Sequence, residues 1–306
     1  MLFRKILLIT FGLLLIIFAI LFATANNISQ NNGTITPLVS SIKKVIPYRF
    51  SENNKSKNKS KKVPILLYHY VRIADKTTDP TGWNLSVTPE NFALQMSYLK
   101  AQNYQTLTFD DIDYLMAKKQ NFPEKPIILT FDDGYNDFYQ NAFPILKQYS
   151  FSAVVFMIGG KINQENYLST DQIILLNDYG IEFGLHTQSH INMSNTSVYN
   201  IEKELNQNST ALHNITDKIP DILAYPSGQF NQETVDYLQN SSVKYAVTTV
   251  AQMADFSIHD PLILPRFKIT GSFNLEKFKE ILLNNSSYKI YPTTTTTVVP
   301  DEISNF

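Results

Sequence analysis

Three stretches of the 306-residue chain carry residues able to do hydrolytic chemistry, and two more stand ready to assist them. Asp132-Asp133-Gly134 closes the run Pro126-Ile127-Ile128-Leu129-Thr130-Phe131. Two adjacent carboxylates there are expensive to bury unless a cation or a proton compensates them. An Asp opening a helix near Tyr135 would account for one of the pair and leave the other unexplained. His186-Thr187-Gln188-Ser189-His190 places two of the five histidines at i and i+4. On a helical turn both rings would face one side, which suits two nitrogen ligands on one metal. With Asp133 they form a two-histidine, one-carboxylate set that leaves positions open for water and substrate, as catalytic sites do. His69 ends the run Pro64-Ile65-Leu66-Leu67-Tyr68. Arg266 reads as a buried-strand arginine in need of a carboxylate, with Asp132 and Asp260 as candidates. His213, on a polar helix, and His259, in a loop, read as surface residues.

These stretches need elements to bring them together. Apolar runs of strand length lie at 63–71, 126–132, 152–158, 181–186, 221–225, 244–249 and 262–269. Amphipathic segments of helical length lie between them, among them 89–102, 135–149, 170–179 and 196–218, and Gly or Pro punctuates most junctions. Continuous apolar strands alternating with helices predict an α/β fold with a mostly parallel sheet covered on both faces. Seven such units predict a barrel or near-barrel whose active site gathers at the C-terminal strand ends. Asp132 and Asp133, His186, His69 and the turn Tyr225-Pro226-Ser227-Gly228 all fall at that end.

Composition narrows the class. Hydrophobic residues make up 43% and charged residues 17%, which excludes wholesale disorder and collagen-like repeats. The absence of cysteine excludes a disulfide scaffold, a thiolate metal site and a cysteine nucleophile. A pI near 6.5 argues against nucleic acid as the main partner. The net charge of −1 hides an asymmetry, because the Lys-dotted first 62 residues are strongly basic and the remainder is acidic.

Residues 6–23 carry no charge and follow Arg4 and Lys5. That length approaches the ~20 residues needed to span a bilayer, and the positive-inside rule puts the following chain outside the cytoplasm. Ala23-Thr24-Ala25 has the form of a cleavage site, so residues 1–25 read as a signal-anchor or a signal peptide. The domain is thus expected on the outer side of the membrane, anchored there, or secreted if the segment is cleaved. Residues 26–62 read as a flexible basic linker, 63–285 as the globular domain, and 286–306, with five consecutive threonines, as a low-complexity tail.

The motifs together resemble the polysaccharide deacetylases with the NodB-homology domain. Thr130-Phe131-Asp132-Asp133-Gly134-Tyr135 is similar to that family's first motif and His186-x-x-x-His190 to its second, over roughly residues 63–285. The resemblance implies a distorted (β/α)7 barrel, Asp132 as catalytic base, and Asp133, His186 and His190 holding a divalent metal, most often zinc. Two departures stand out. The segment Leu223-Ala224-Tyr225-Pro226-Ser227-Gly228 lacks the usual arginine and aromatic, and no histidine follows His259. A rearranged branch, like the biofilm poly-N-acetylglucosamine deacetylases, takes its acid from a first-strand Tyr-His, which Tyr68-His69 matches. Leu264-Pro265-Arg266 resembles that branch's later arginine.

The reaction so implied is hydrolysis of an N-acetyl group on an extracytoplasmic glycan, releasing acetate. Asp132, tuned by Arg266, takes a proton from water. The backbone N–H of Ser227 helps hold the oxyanion because Pro226 has none, and Tyr225 and Ser227 are expected to border the substrate. His69 then protonates the leaving amine. Rival readings are a deacylase of another amide, ester or lipid-linked sugar, and a catalytically inactive carbohydrate-binding module on the membrane.

Overall fold

The structure is a computed structural model and describes residues 61–283. The expected anchor, nearly all of the linker, and the tail lie outside the described residues. Lys62 already pairs with Asp255 in a short antiparallel ladder, so regular structure is present one residue before the expected start of the domain.

Seven strands form one curled parallel sheet: β1 (Ile65–Tyr68), β2 (Pro126–Phe131), β3 (Val154–Met157), β4 (Glu182–Leu185), β5 (Ile222–Ala224), β6 (Tyr245–Val247) and β7 (Phe267–Lys268). Their order is β6-β5-β4-β3-β2-β1-β7, and Gln105–Thr106 adds a further parallel pair to β2. The described helices of seven or more residues are α1 (Pro89–Ala101), α2 (Phe109–Ala117), α3 (Phe143–Tyr149), α4 (Thr170–Tyr179), α5 (Val198–Thr216), α6 (Gln232–Gln239) and α7 (Leu275–Leu283), and a short one spans Pro80–Leu85. Most follow a strand and return the chain to start the next, as parallel strands require.

The run expected as one strand over 262–269 is divided. Pro261–Ile263 forms a 3₁₀ turn, Leu264 bonds to Ala246 and Thr248, and only Phe267–Lys268 pair with β1. Pro265 has no N–H to give a ladder. The segment therefore steps from one edge of the sheet to the other and curls it round. The helix expected over 135–149 is also divided. Residues Phe138–Ala142 widen into a π-turn ahead of α3, where Pro144 cannot continue the ordinary ladder.

Strand parity sorts the side chains into two cores. Leu66, Tyr68, Leu129, Phe131, Val155, Met157, Phe183, Leu185, Leu223 and Phe267 pack outward with the helices. Ile65, Ile128, Val154, Phe156, Ile222, Ala224, Val247 and Leu264 pack on the concave side, with Phe109, Ile112 and Leu115 of α2. Continuing this alternation puts His69, Thr130 with Asp132, His186, and Arg266 with Lys268 on the concave side.

Candidate active site

Asp132 and Asp133 are adjacent in sequence and face different partners. Asp132 sits on the concave parity and accepts two hydrogen bonds from Arg266, Nη1 at 2.7 Å and Nη2 at 2.8 Å. Arg266 is fully buried, and two further donors go to Thr130 Oγ1 at 3.0 Å and the Thr248 carbonyl at 2.9 Å. Burial works to raise the Asp132 pKa, but the charge and hydrogen bonds of Arg266, helped by His186 and His69, hold it below the ordinary carboxylate value.

Asp133 would point outward if the strand continued. It adopts φ 73° instead, a left-handed conformation that Asp tolerates better than most residues, and so turns its carboxylate back to the site. Gly134 follows at φ 77°, a left-handed conformation that favours glycine, and a Cβ there would stand 2.5 Å from Met157 Sδ and push that thioether aside. Asp133 Oδ1 lies 3.3 Å from His186 Nε2 and 3.6 Å from His190 Nε2. Burial opposes ionisation of Asp133, yet the neighbouring imidazoles hold its pKa well below the usual range.

The histidine pair does not lie on a helical turn as its spacing suggested. His186 directly follows β4, and the chain to His190 is an irregular loop with Thr187 and His190 at φ 61° and 59°. The rings nevertheless meet, centroids 4.9 Å apart. His186 Nδ1 lies 2.8 Å from the Ala224 carbonyl, which accepts a hydrogen bond from it and leaves Nε2 facing Asp133 as the candidate ligand atom. One ligand atom from each of Asp133, His186 and His190 falls within 4.8 Å of the others. One anionic oxygen and two imidazole nitrogens, two of the three residues buried, fit a divalent metal of the zinc type with positions left open.

His69 is half-buried at the end of β1, and its Nδ1 is buried without a partner among the described residues. Burial lowers its pKa, while Asp132 and Asp133 pull the other way. Ser227 is exposed in the turn after β5 at φ 55°. Tyr225 departs from expectation. Its ring is fully buried, stacks on Phe230 at 4.6 Å, and its hydroxyl donates to the Leu262 carbonyl at 2.9 Å. Tyr225 follows Ala224 and so lies on the helix-facing parity; it offers no surface to a substrate. Asp260 is not the partner of Arg266 but caps the turn Pro261–Ile263 through Leu262 N–H. Neither Asp132 nor Asp133 caps a helix. His213 is exposed as expected, whereas His259 is half-buried, its Nδ1 accepting from the Asp255 N–H.

Sequence reasoning missed several contributors. Thr130 and Lys268 stand two residues from Asp132 and Arg266, so strand parity could have found both. Lys268 is half-buried near Asp132, and burial lowers its pKa. A row of half-buried tyrosines was also missed: Tyr70 stacks on Tyr135 at 3.9 Å, and Tyr135 meets Tyr167 at 5.0 Å. Burial raises the pKa of all three, and the charge of Asp133 adds to it, which places the row beside the carboxylate.

The fold and site define a hydrolase-like candidate site, an Asp-His-His group beside an arginine-held aspartate, at the C-terminal ends of a parallel sheet. Residues 119–246 match the family profile described as Polysaccharide deacetylase. The chain is 30% identical to BA0330, a candidate polysaccharide deacetylase of Bacillus anthracis, with a TM-score of 0.65 over 73% of this chain and 69% of that one. It is 31% identical over 191 residues to YxkH, a candidate polysaccharide deacetylase of Bacillus subtilis, covering 62% of this chain and 66% of that protein. It is 30% identical over 196 residues to a poly-beta-1,6-N-acetyl-D-glucosamine N-deacetylase of Staphylococcus aureus, covering 60% of this chain and 64% of that protein. The matches thus span slightly under two thirds of these two curated relatives. The chain belongs to the polysaccharide deacetylase family.

Proposed function

We propose that this protein is a metal-dependent deacetylase that removes N-acetyl groups from the amino sugars of a glycan outside the cytoplasm and releases acetate. The observation that carries the reading is the meeting of Asp133, His186 and His190 within 4.8 Å beside a second aspartate held by a buried arginine. A divalent metal held there, zinc by the donor set, would supply an acidified water and polarise the acetyl carbonyl. Asp132 stays ionised through Arg266 and receives the proton as water attacks the carbonyl carbon. The Ser227 N–H, next to a proline that has none, is available to the developing oxyanion. His69 protonates the departing amine, which cannot leave as an anion. The tyrosine row supplies apolar faces on which a sugar ring can lie beside the reacting carbon. The S. aureus relative's poly-N-acetylglucosamine makes that polymer the first substrate to try.

The curled sheet fits the distorted (β/α)7 barrel that the motifs imply. The uncharged residues 6–23 behind Arg4 and Lys5 support a membrane anchor, with residues 26–62 as a tether that ends at the Lys62–Asp255 ladder. Protease added outside intact cells should then digest the domain, and an N-terminus at Asn26 would show cleavage instead.

The central experiment measures metal content and acetate release on poly-N-acetylglucosamine, peptidoglycan, chitooligosaccharides and acetylated esters. Asp133→Ala and His186→Ala should lose most of the metal and nearly all activity. Full metal occupancy in either variant would overturn the assignment, and metal binding without acetate release from any member would favour a binding module.

A further inference from the structure

The loop between the two histidines has no helix to shape it, and two of its residues, Thr187 and His190, sit in the left-handed region. For a β-branched threonine that conformation is unfavourable and persists only where surrounding contacts over-determine it. The contacts come from two sides. On one side, Gly159 N–H donates to the Thr187 carbonyl at 3.1 Å and Gly160 N–H to the Gln188 carbonyl at 2.8 Å. On the other stands α5. Asn208 Oδ1 accepts the His186 backbone N–H at 3.0 Å, sharing it with the Met157 carbonyl of β3 at 3.0 Å, and Glu204, one turn earlier, accepts the Ser189 N–H at 2.7 Å and its hydroxyl at 2.8 Å.

Asn208 is out of character for its place. It is fully buried on a helix whose other buried residues are Ile201, Leu205 and Leu212. A leucine would pack there without the desolvation that a buried amide suffers. Its Nδ2 and Gln188 Oε1 are both buried without partners among the described residues, and both crowd Gly159: a Cβ on that glycine would stand 2.7 Å and 2.4 Å from them. A side chain on Gly159 would therefore push against the amide that holds His186.

We propose that α5 is a clamp that sets the geometry of the His186–His190 loop, with Asn208 as the positioning residue for His186 and Glu204 for the turn leading to His190. This rests on the metal reading above. Asn208 touches neither substrate nor the reacting atoms. It acts by fixing, from the helix side and together with the Met157 carbonyl on the strand side, the backbone from which the His186 ring projects, while Ala224 fixes the ring's rotation. Partners that orient a metal ligand commonly change affinity by about 10–100-fold when lost.

The test compares Asn208→Leu, Glu204→Leu and Glu204→Gln with the unaltered protein. Each is titrated with Zn2+ and Co2+ after metal removal, and amide hydrogen exchange is followed at residues 186–191 in the metal-free state. Asn208→Leu should bind both ions about 10–100-fold more weakly. Glu204→Leu should also weaken them, and Glu204→Gln should recover most of that loss, since an amide oxygen still accepts from Ser189. Exchange at the loop should quicken in both leucine variants while α4 and β3 keep their protection. Should Asn208→Leu fail to fold, the exposed-side pair at Glu204 decides alone. Unchanged metal affinity and unchanged loop exchange in the leucine variants would overturn the clamp. Quickened exchange in a protein that binds no metal even unaltered would overturn the metal reading and leave the clamp standing.

Discussion

Arg266 holds Asp132 through both terminal nitrogens, at 2.7 and 2.8 Å, on the concave side of the sheet where neither side chain is more than marginally exposed. The two lie on opposite flanks of β1, since β7 and β2 are its two neighbours. The pair therefore ties the last strand to the second across the first. Removing one member of a buried pair strands the other charge and costs about 3–5 kcal/mol. Arg266→Ala should lose stability on that scale in urea unfolding. The double change Arg266→Met with Asp132→Leu should regain most of it, because two apolar side chains strand no charge, and should be inactive. A double variant no more stable than Arg266→Ala would show that the pair is needed for the fold itself.

The tyrosine row makes a separate prediction. If a sugar ring lies on Tyr135 and Tyr167, the contact belongs to binding and not to bond cleavage. Tyr167→Ala should raise KM on an acetylated oligosaccharide by up to about tenfold, as expected for a ring contact of ~0.5–1.5 kcal/mol. On a small activated ester it should leave kcat/KM within about twofold, since such a ligand does not reach the row. Equal losses on both substrates would mean that Tyr167 shapes the metal site instead.

Much of this was legible in the sequence because it follows from period. Alternation along 126–132 and 181–186 puts Asp132 and His186 on one face, and parallel strands bring their C-terminal ends to one end of the sheet. What the sequence hid was carried by single residues in unusual backbone. Asp133 reaches the site only because it turns left-handed, and nothing in the apolar run announces that. The i, i+4 spacing of the histidines led to the right pair through a wrong picture, because β4 ends in a loop shaped by Asn208 and Gly159 far along the chain. Tyr225 was misplaced for the opposite reason. It obeys strand parity, which turns it away from the site that its neighbours Ala224 and Ser227 border.

At the opposite end of β4, Glu182 faces the concave side and accepts the N–H groups of Phe109 at 2.7 Å and Asp110 at 3.3 Å. Burial and the nearby Asp110 push its pKa up to about 8 from 4.5, although Lys218 and the Phe109 N–H pull it down. The folded protein thus binds a proton that the unfolded chain releases near 4.5. Its contribution to stability is full below that value and is lost as pH rises towards 8. Thermal unfolding of the unaltered protein should show Tm falling by several degrees between about pH 5 and pH 8.5, at roughly 2–4 °C per kcal/mol for a domain of this size. Glu182→Gln, which keeps an acceptor and cannot ionise, should flatten that slope. An unchanged slope would mean that Lys218 and the α2 amides keep Glu182 ionised throughout.

If His69 is the general acid, it decides how the leaving group departs. Its ring lies beside both aspartates, and burial lowers its affinity for a proton, which makes the protonated ring a stronger acid. A sugar amine cannot be expelled without that proton, whereas an activated phenolate can. His69→Gln should therefore lose about 10²–10⁴-fold in kcat on an N-acetylated sugar, the usual range for one general acid. On an activated phenyl acetate the same variant should keep most of its rate. Asp132→Asn should fail on both substrates, since both need the attacking water deprotonated. Metal content separates these effects from a damaged site: His69 is no ligand, and the variant should hold as much metal as the unaltered protein. If His69→Gln slows amide and activated ester alike at full metal content, His69 is not the acid and acts in positioning. The search for a donor would then pass to Lys268, the half-buried amine on the neighbouring strand whose pKa burial already lowers.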